Sequence, residues 1–220
     1  MNRQKFLSLI GLSFLGTFFF SAKQKERITS KTDCDDPITP PVPEGPFYKD
    51  EKLNRIDIAE HKKGVPVEYV FKVEDKHCNP IAGAIVDIWH CDAEGVYSDF
   101  KQENTEKETW LRGYQVTDKH GECRFTSIFP GWYAGRITHL HAKVHSNDAN
   151  LLTTNLFFQR NIENDIYKNP LYTKGSNPLS VLDDIELKVD KNLNRHDTLV
   201  MNVTRDKNDR WIGRYKFALA

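Results

Sequence analysis

The stretch PGWYAGRITHLH (130–141) places a tyrosine, an arginine and two histidines within twelve residues. His139 and His141 alternate about Leu140, so on a strand both imidazoles project from one face. An H-x-H pair on a strand is a simple way to offer two nitrogen donors to one metal ion. His145 shares that parity but lies about 13 Å beyond His141 along an extended chain, and it is read as a solvated or hydrogen-bonded histidine. Zinc would want a third nitrogen, thiolate or carboxylate, and a ferrous facial-triad site wants a carboxylate beside the pair. Neither a carboxylate nor a cysteine stands near His139 in the sequence. Tyrosine does: Tyr133 in PGWY, and Tyr97 in GVYSDF. Phenolate is a hard anionic donor that only a strongly polarising cation keeps deprotonated. Two phenolates, two neutral imidazoles and one hydroxide carry the charge that cancels Fe(III).

Such donors need a scaffold, and the chain reads as one made of strands. PVEYVFKVE (66–74), AGAIVDIWH (82–90), WLRGYQVT (110–117), CRFTSIF (123–129), ITHLHAKVH (137–145) and LLTTNLFF (151–158) are short strand-like runs. They are separated by turn signals, among them DKHG (118–121), a hairpin-type connection. DTLVMNV (197–203) and RWIGRYKF (210–217) read as a final pair, after a polar, turn-rich excursion over 160–195 with one short helix. This spacing, without long helical periodicity, predicts an all-β fold with an antiparallel β-sandwich core, long loops and little helix.

The remaining features bound the function. Thirty-one basic and thirty-one acidic residues cancel, and the basic ones form no stripe, which excludes a nucleic-acid partner. Residues 1–22 join a basic start to the uncharged run FLSLIGLSFLGTFFF (6–20), the pattern of a signal peptide or N-terminal anchor. Export to a periplasmic, extracellular or envelope-attached location is expected, followed by an extended lead-in over 23–43 and a catalytic domain over 44–220. An oxidising compartment permits disulfides among Cys34, Cys78, Cys91 and Cys123. A Cys78–Cys91 bridge is disfavoured because the two cysteines flank one strand, roughly 30 Å apart when extended; free buried thiols are the alternative.

EGPFY (44–48), VDIWHCDAEGVYS (86–98), RGYQVTDKHGECRFTSIFPGWYAGR (112–136) and HLH (139–141) resemble, in order, the pattern of the intradiol ring-cleavage dioxygenases. These are the enzymes of the catechol and protocatechuate type, and the short chain is most similar to secreted single-domain members. The resemblance implies non-haem Fe(III) held by Tyr97, Tyr133, His139 and His141, with Tyr133 the axial ligand that departs when substrate binds. Arg136 matches an arginine that stabilises negative charge on the substrate ring. The implied reaction is cleavage of a catechol-type molecule by O2 to a cis,cis-muconate-type product, with no organic cofactor. A homo-oligomer stays open.

The chain also departs from that pattern. Asn155 stands in LTTN, where the family usually has glutamine, one methylene shorter at the amide. Only five residues separate Tyr133 from His139, so the link that walls the pocket in cytoplasmic members is short and a more open mouth is expected. PVPEGPFY lacks the threonine that often precedes the glutamate; Pro46 and Tyr48 are candidate pocket-lining residues. Trp89, His90, Arg112, Tyr114 and Asp118 read as packing or turn residues. The competing classes are a catalytically inactive binding module of the transthyretin-like or carboxypeptidase-regulatory-like type, and a different metal such as zinc on the same scaffold.

Overall fold

The computed structural model describes residues 37–146, 149–189 and 193–220. The expectations for the signal-like segment 1–22 and for Cys34 lie outside these residues. Eight strands run in order: β1 Pro66–Asp75, β2 Ile85–Trp89, β3 Arg112–Val116, β4 Glu122–Ile128, β5 His139–Ser146, β6 Ala149–Phe158, β7 Val200–Arg205 and β8 Trp211–Leu219. Among the described residues helix is confined to α1 Arg160–Ile166, α2 Ile185–Val189 and three 3-10 turns. No helix among the described residues is long and apolar enough to cross a membrane.

The strands pair in the spatial order β3-β2-β5-β6-β7-β8-β1-β4, one continuous and nearly closed sheet. The all-β class is as expected, but the hydrogen-bonded ladder does not divide into two separate sheets. Nor is it wholly antiparallel, since β1 pairs with β8 and β6 with β7 in parallel. The turn at 118–121 is present, with Gly121 N donating to Asp118 O at 2.9 Å. Its strands, however, are the two ends of the sheet rather than a ladder-forming hairpin. β7 and β8 do form the expected antiparallel pair.

The core follows from period-two alternation. Val67, Tyr69, Phe71 and Val73 of β1 meet Phe125 of β4, Val86 and Ile88 of β2, and Leu140, Ala142 and Val144 of β5. Burying Leu140 and Ala142 inward forces His139 and His141 onto the other face of β5. Cross-strand register then sets one row on that outer face. Arg112 of β3 lies opposite Trp89 of β2, Trp89 opposite His141, and His141 opposite Asn155 of β6.

Loops cover this outer face instead of solvent. The lead-in is laid down on β6 and β8: Val42 N donates to Thr153 O at 3.0 Å, Thr39 N to Ala218 O at 2.9 Å, and Thr154 Oγ1 to Pro40 O at 2.8 Å. That path delivers residues 44–48 to the histidines. Cys91 and Cys123 are free buried thiols, and Cys78 is disulfide-bonded, so the disfavoured Cys78–Cys91 pairing is not formed.

Candidate metal centre

The two imidazoles converge as the H-x-H spacing predicts. His139 Nε2 and His141 Nε2 lie 3.0 Å apart, and Tyr133 Oη lies 3.2 Å from His139 Nε2. Two nitrogens bound at about 2.0–2.1 Å to one ion, roughly at right angles, are held about 3 Å apart. His139 Nδ1 bonds Ile137 O at 2.6 Å, and a carbonyl only accepts, so the ring proton sits on Nδ1 and the Nε2 lone pair faces the cluster. Burial, and after it the Arg136 charge, hold both imidazoles well below their usual pKa, so each is a neutral donor.

Tyr97, in the loop after β2, lies beside this group, its ring 5.8 Å from that of Tyr133 and 6.2 Å from that of His141. Its side chain is buried, and its hydroxyl makes no hydrogen bond. Its ring stacks on Phe47 at 4.1 Å and meets the Tyr133 ring edge-on at 5.8 Å. Burial raises the pKa of both phenols; the neighbouring Tyr133 adds to the rise for Tyr97, whereas the Arg136 charge works against it for Tyr133. Without a cation both phenols are therefore neutral, and Tyr97 leaves a polar oxygen buried and unpaired, which costs about 1–3 kcal/mol. A trivalent ion reverses that cost by favouring phenolate. Among the described residues no three His, Cys, Asp or Glu side chains gather as a metal-holding set. The donor set is complete only with the two phenols, and it fits a hard ferric ion better than zinc. His141 Nδ1 is also buried without a hydrogen bond, and no described group explains it.

Two close approaches bring the Tyr97 and Tyr133 loops together. Gly95, at φ +79°, would place a Cβ 2.2 Å from Trp132 O, and a Cβ on Gly131 would lie 2.4 Å from Ala93 O. Only glycine at 95 suits both the backbone and the space. Arg112 fastens the same loop to the lead-in: Nε donates to Ser98 Oγ at 2.7 Å, Nη2 to Ser98 O at 2.8 Å and Nη1 to Phe47 O at 2.7 Å. Arg112, read in the sequence as a packing or turn residue, joins two separate loops by these bonds.

Arg136 is the buried cation beside the donors, 2% exposed. Its Nε donates to both oxygens of Asp184, at 3.1 and 3.0 Å, and its Nη2 donates to Asn155 Oδ1 at 2.7 Å. Asn155 also donates through Nδ2 to Pro43 O at 3.3 Å. The shorter amide thus reaches the arginine directly. Arg136 Nη1 faces Glu186 Oε2 at 2.9 Å as an ion pair, without hydrogen-bond geometry on either atom.

The candidate lining residues divide. Tyr48 packs on Trp89 at 4.8 Å with its hydroxyl committed to Asp87 Oδ2 at 3.1 Å, so its ring belongs to the aromatic wall. Pro46 is exposed in a turn at 46–47. Asp184 and Glu186 carried no sequence signal: they sit in the polar excursion, far along the chain from PGWY. Asp184 is fully buried and also accepts from Ile137 N at 2.9 Å, Glu186 N at 3.0 Å and Leu187 N at 3.1 Å. A D-D-I-E run after a serine reads as a helix start, and nothing in it announces a distant arginine.

A family model described as Dioxygenase (Dioxygenase_C) matches residues 41–171, more than half of the chain. The catechol 1,2-dioxygenase 1 of Acinetobacter lwoffii is 29% identical over 150 residues, covering 58% of this chain and 47% of that protein. The chain spans about half the length of the curated relatives it matches. Among solved structures, an intradiol ring-cleavage dioxygenase from Tetranychus urticae superposes with a TM-score of 0.74 at 28% identity, covering 83% of this chain and 94% of that one. The dioxygenase domain of a carbohydrate-binding fusion from Streptomyces sp. SirexAA-E gives 0.62 at 27% identity, covering 83% and 98%. With the four motifs in order and the tyrosine–histidine cluster assembled, the chain belongs to the intradiol ring-cleavage dioxygenase family.

Proposed function

We propose that the chain is a non-haem Fe(III) enzyme that cleaves catechol-type aromatics between the two hydroxyl-bearing carbons with O2, giving cis,cis-muconate-type products. The observation that carries this is the convergence of Tyr133 Oη, His139 Nε2 and His141 Nε2 at 3.2 and 3.0 Å, beside the unpaired buried hydroxyl of Tyr97. Tyr97, Tyr133, His139 and His141 would hold the iron. Bound there, a ferric ion supplies a Lewis acid that keeps phenolates deprotonated and draws electron density from a chelated catechol.

The chain's own groups do the rest. A catechol must lose two protons to chelate; Tyr133 Oη would be placed to take one, and a hydroxide at the centre would take the other. Tyr133 suits this better than Tyr97, because its side chain is only partly buried whereas Tyr97 is enclosed and stacked. With both protons taken this way, the two negative charges of the catechol dianion would replace those of one phenolate and one hydroxide, which avoids burying net charge. Arg136, fixed by Asp184, presents a guanidinium to negative charge developing on the ring. Trp89, Tyr97, Phe47, Tyr48 and Phe100 wall the centre and keep water from it. Export through residues 1–22 fits an enzyme that needs no organic cofactor, and cell fractionation that recovers the full chain only from the cytoplasm would sink that part.

Incubation of iron-loaded protein with catechol tests the reaction. The expected result is O2 uptake matched by a ring-opened dicarboxylic acid. Catechol bound but recovered unchanged would favour a binding module, and a ring-opened aldehyde acid would mean cleavage outside the hydroxyl pair.

A further inference from the structure

The site holds one more charge than the proposed reaction uses. Arg136 is already neutralised by a two-oxygen grip from Asp184, which is fully buried. Glu186 then adds a second carboxylate, with Oε2 2.9 Å from Arg136 Nη1 and neither atom hydrogen-bonded. Three charged groups, one positive and two negative, leave a net negative charge at this corner.

That charge lies near the candidate centre, across the Gly45 backbone from His141. A Cβ built on Gly45 would lie 3.3 Å from Glu186 Oε1 and 3.5 Å from His141 Cε1, so the carboxylate and the imidazole flank the same backbone. Glu186 is partly open, with 18% of its side chain exposed. Lys143, two residues beyond His141 on the same strand face, offers no free compensation, because its Nζ is paired with Glu44 Oε2 at 2.7 Å. The neighbouring rim is apolar: Ile185 and Leu182 are 55% and 71% exposed, and Ile185 N donates to Gly135 O at 3.0 Å, which ties this rim to the link between Tyr133 and His139.

We propose that Glu186 is a specificity-determining residue: it turns away catechols with an anionic ring substituent and leaves the site to those with uncharged apolar or cationic ones. The inference rests on the ring-cleavage reading above. Chelation of an unsubstituted catechol exchanges charge evenly, so its ring enters as a neutral guest. A ring carboxylate brings an additional negative charge beyond what Arg136, already shared between Asp184 and Glu186, balances, and such a like-charge contact is a means of rejection.

The test compares 3,4-dihydroxybenzoate, 4-methylcatechol and 4-(2-aminoethyl)catechol on wild type, Glu186→Gln and Glu186→Ala. For each, kcat and KM are measured in air, and dissociation constants are measured anaerobically from the change in visible absorption. Wild type should favour the methyl and aminoethyl compounds over the carboxylate. In Glu186→Gln the carboxylate-to-methyl ratio of kcat/KM should rise about tenfold, the scale of one partly screened like-charge contact, through a matching fall in the same ratio of KM and of the anaerobic dissociation constant. Glu186→Ala should move the ratio the same way. A ratio unchanged in both variants, or all three compounds weakened equally, overturns the proposal and leaves Glu186 a support for Arg136. Wild type that turns over none of the compounds defeats the ring-cleavage reading instead, and the anaerobic ratios still decide the role of Glu186.

Discussion

Asp184 shows how much of the centre hangs on one side chain. It is fully buried, grips Arg136 with both oxygens and accepts three backbone N–H groups. Asp184→Asn keeps the size but loses the charge, leaving a buried guanidinium short of its partner. Breaking one side of a buried pair costs about 3–5 kcal/mol, so a clear loss of stability is expected in denaturant titration, together with a drop in kcat. An unchanged midpoint would show that Asn155 and Glu186 suffice for Arg136. Asp87 works in the opposite direction. Burial raises its pKa to about 7, against the lowering effect of the Tyr48 hydrogen bond. The unfolded carboxyl titrates near about 3.9, so between those values the folded chain holds a proton that the unfolded chain has released. The stability tied to this group is fully present below about 4 and is lost as pH rises through about 7. Asp87→Asn should therefore flatten the pH dependence of unfolding between pH 4.5 and 7.5; a slope equal to wild type would remove Asp87 from that account.

The strands and the site loops were legible to different degrees. Alternation located the strands of the described residues, and it put His139 and His141 on one face because Leu140 and Ala142 had to face the core. Strand order was not legible. The DKHG turn joins β3 and β4 locally, yet those strands end up at opposite ends of the sheet, and no local pattern encodes such a choice. The excursion over 160–195 was read as one short helix in a polar stretch, and it holds α1, α2 and 3-10 turns, including the pair of carboxylates that fix Arg136. Polar residues in loops signal exposure by type, and only the folded chain shows that Asp184 is buried. Gly95 is the element-scale test. Adding a Cβ there strains a left-handed backbone by about 1–2 kcal/mol and collides with Trp132 O. Gly95→Ala should push the Tyr97 loop away from the Tyr133 loop, lowering iron affinity more than it lowers thermal stability. Iron binding unchanged alongside reduced stability would mean that the loops are positioned by Arg112 alone.

Across the whole molecule the chemistry is gathered on the outer face of one run of strands, β3-β2-β5-β6, with loops replacing solvent above it. The lead-in contributes to this as much as the sheet: its hydrogen bonds to β6 and β8 bring Gly45 and Phe47 against His141 and Tyr97. Tyr133, His139 and His141 converge there with the buried Tyr97 ring beside them, and the proposed function has these two imidazoles and two phenols share one ion. The most direct test of this is the visible absorption spectrum of the purified, iron-loaded protein. Tyrosinate bound to Fe(III) absorbs in the visible, so the protein should be reddish, Tyr97→Phe should weaken the band at equal iron content, and Tyr114→Phe should leave it unchanged. A protein that binds iron and stays colourless, or a band indifferent to Tyr97, would contradict the tyrosine–histidine centre.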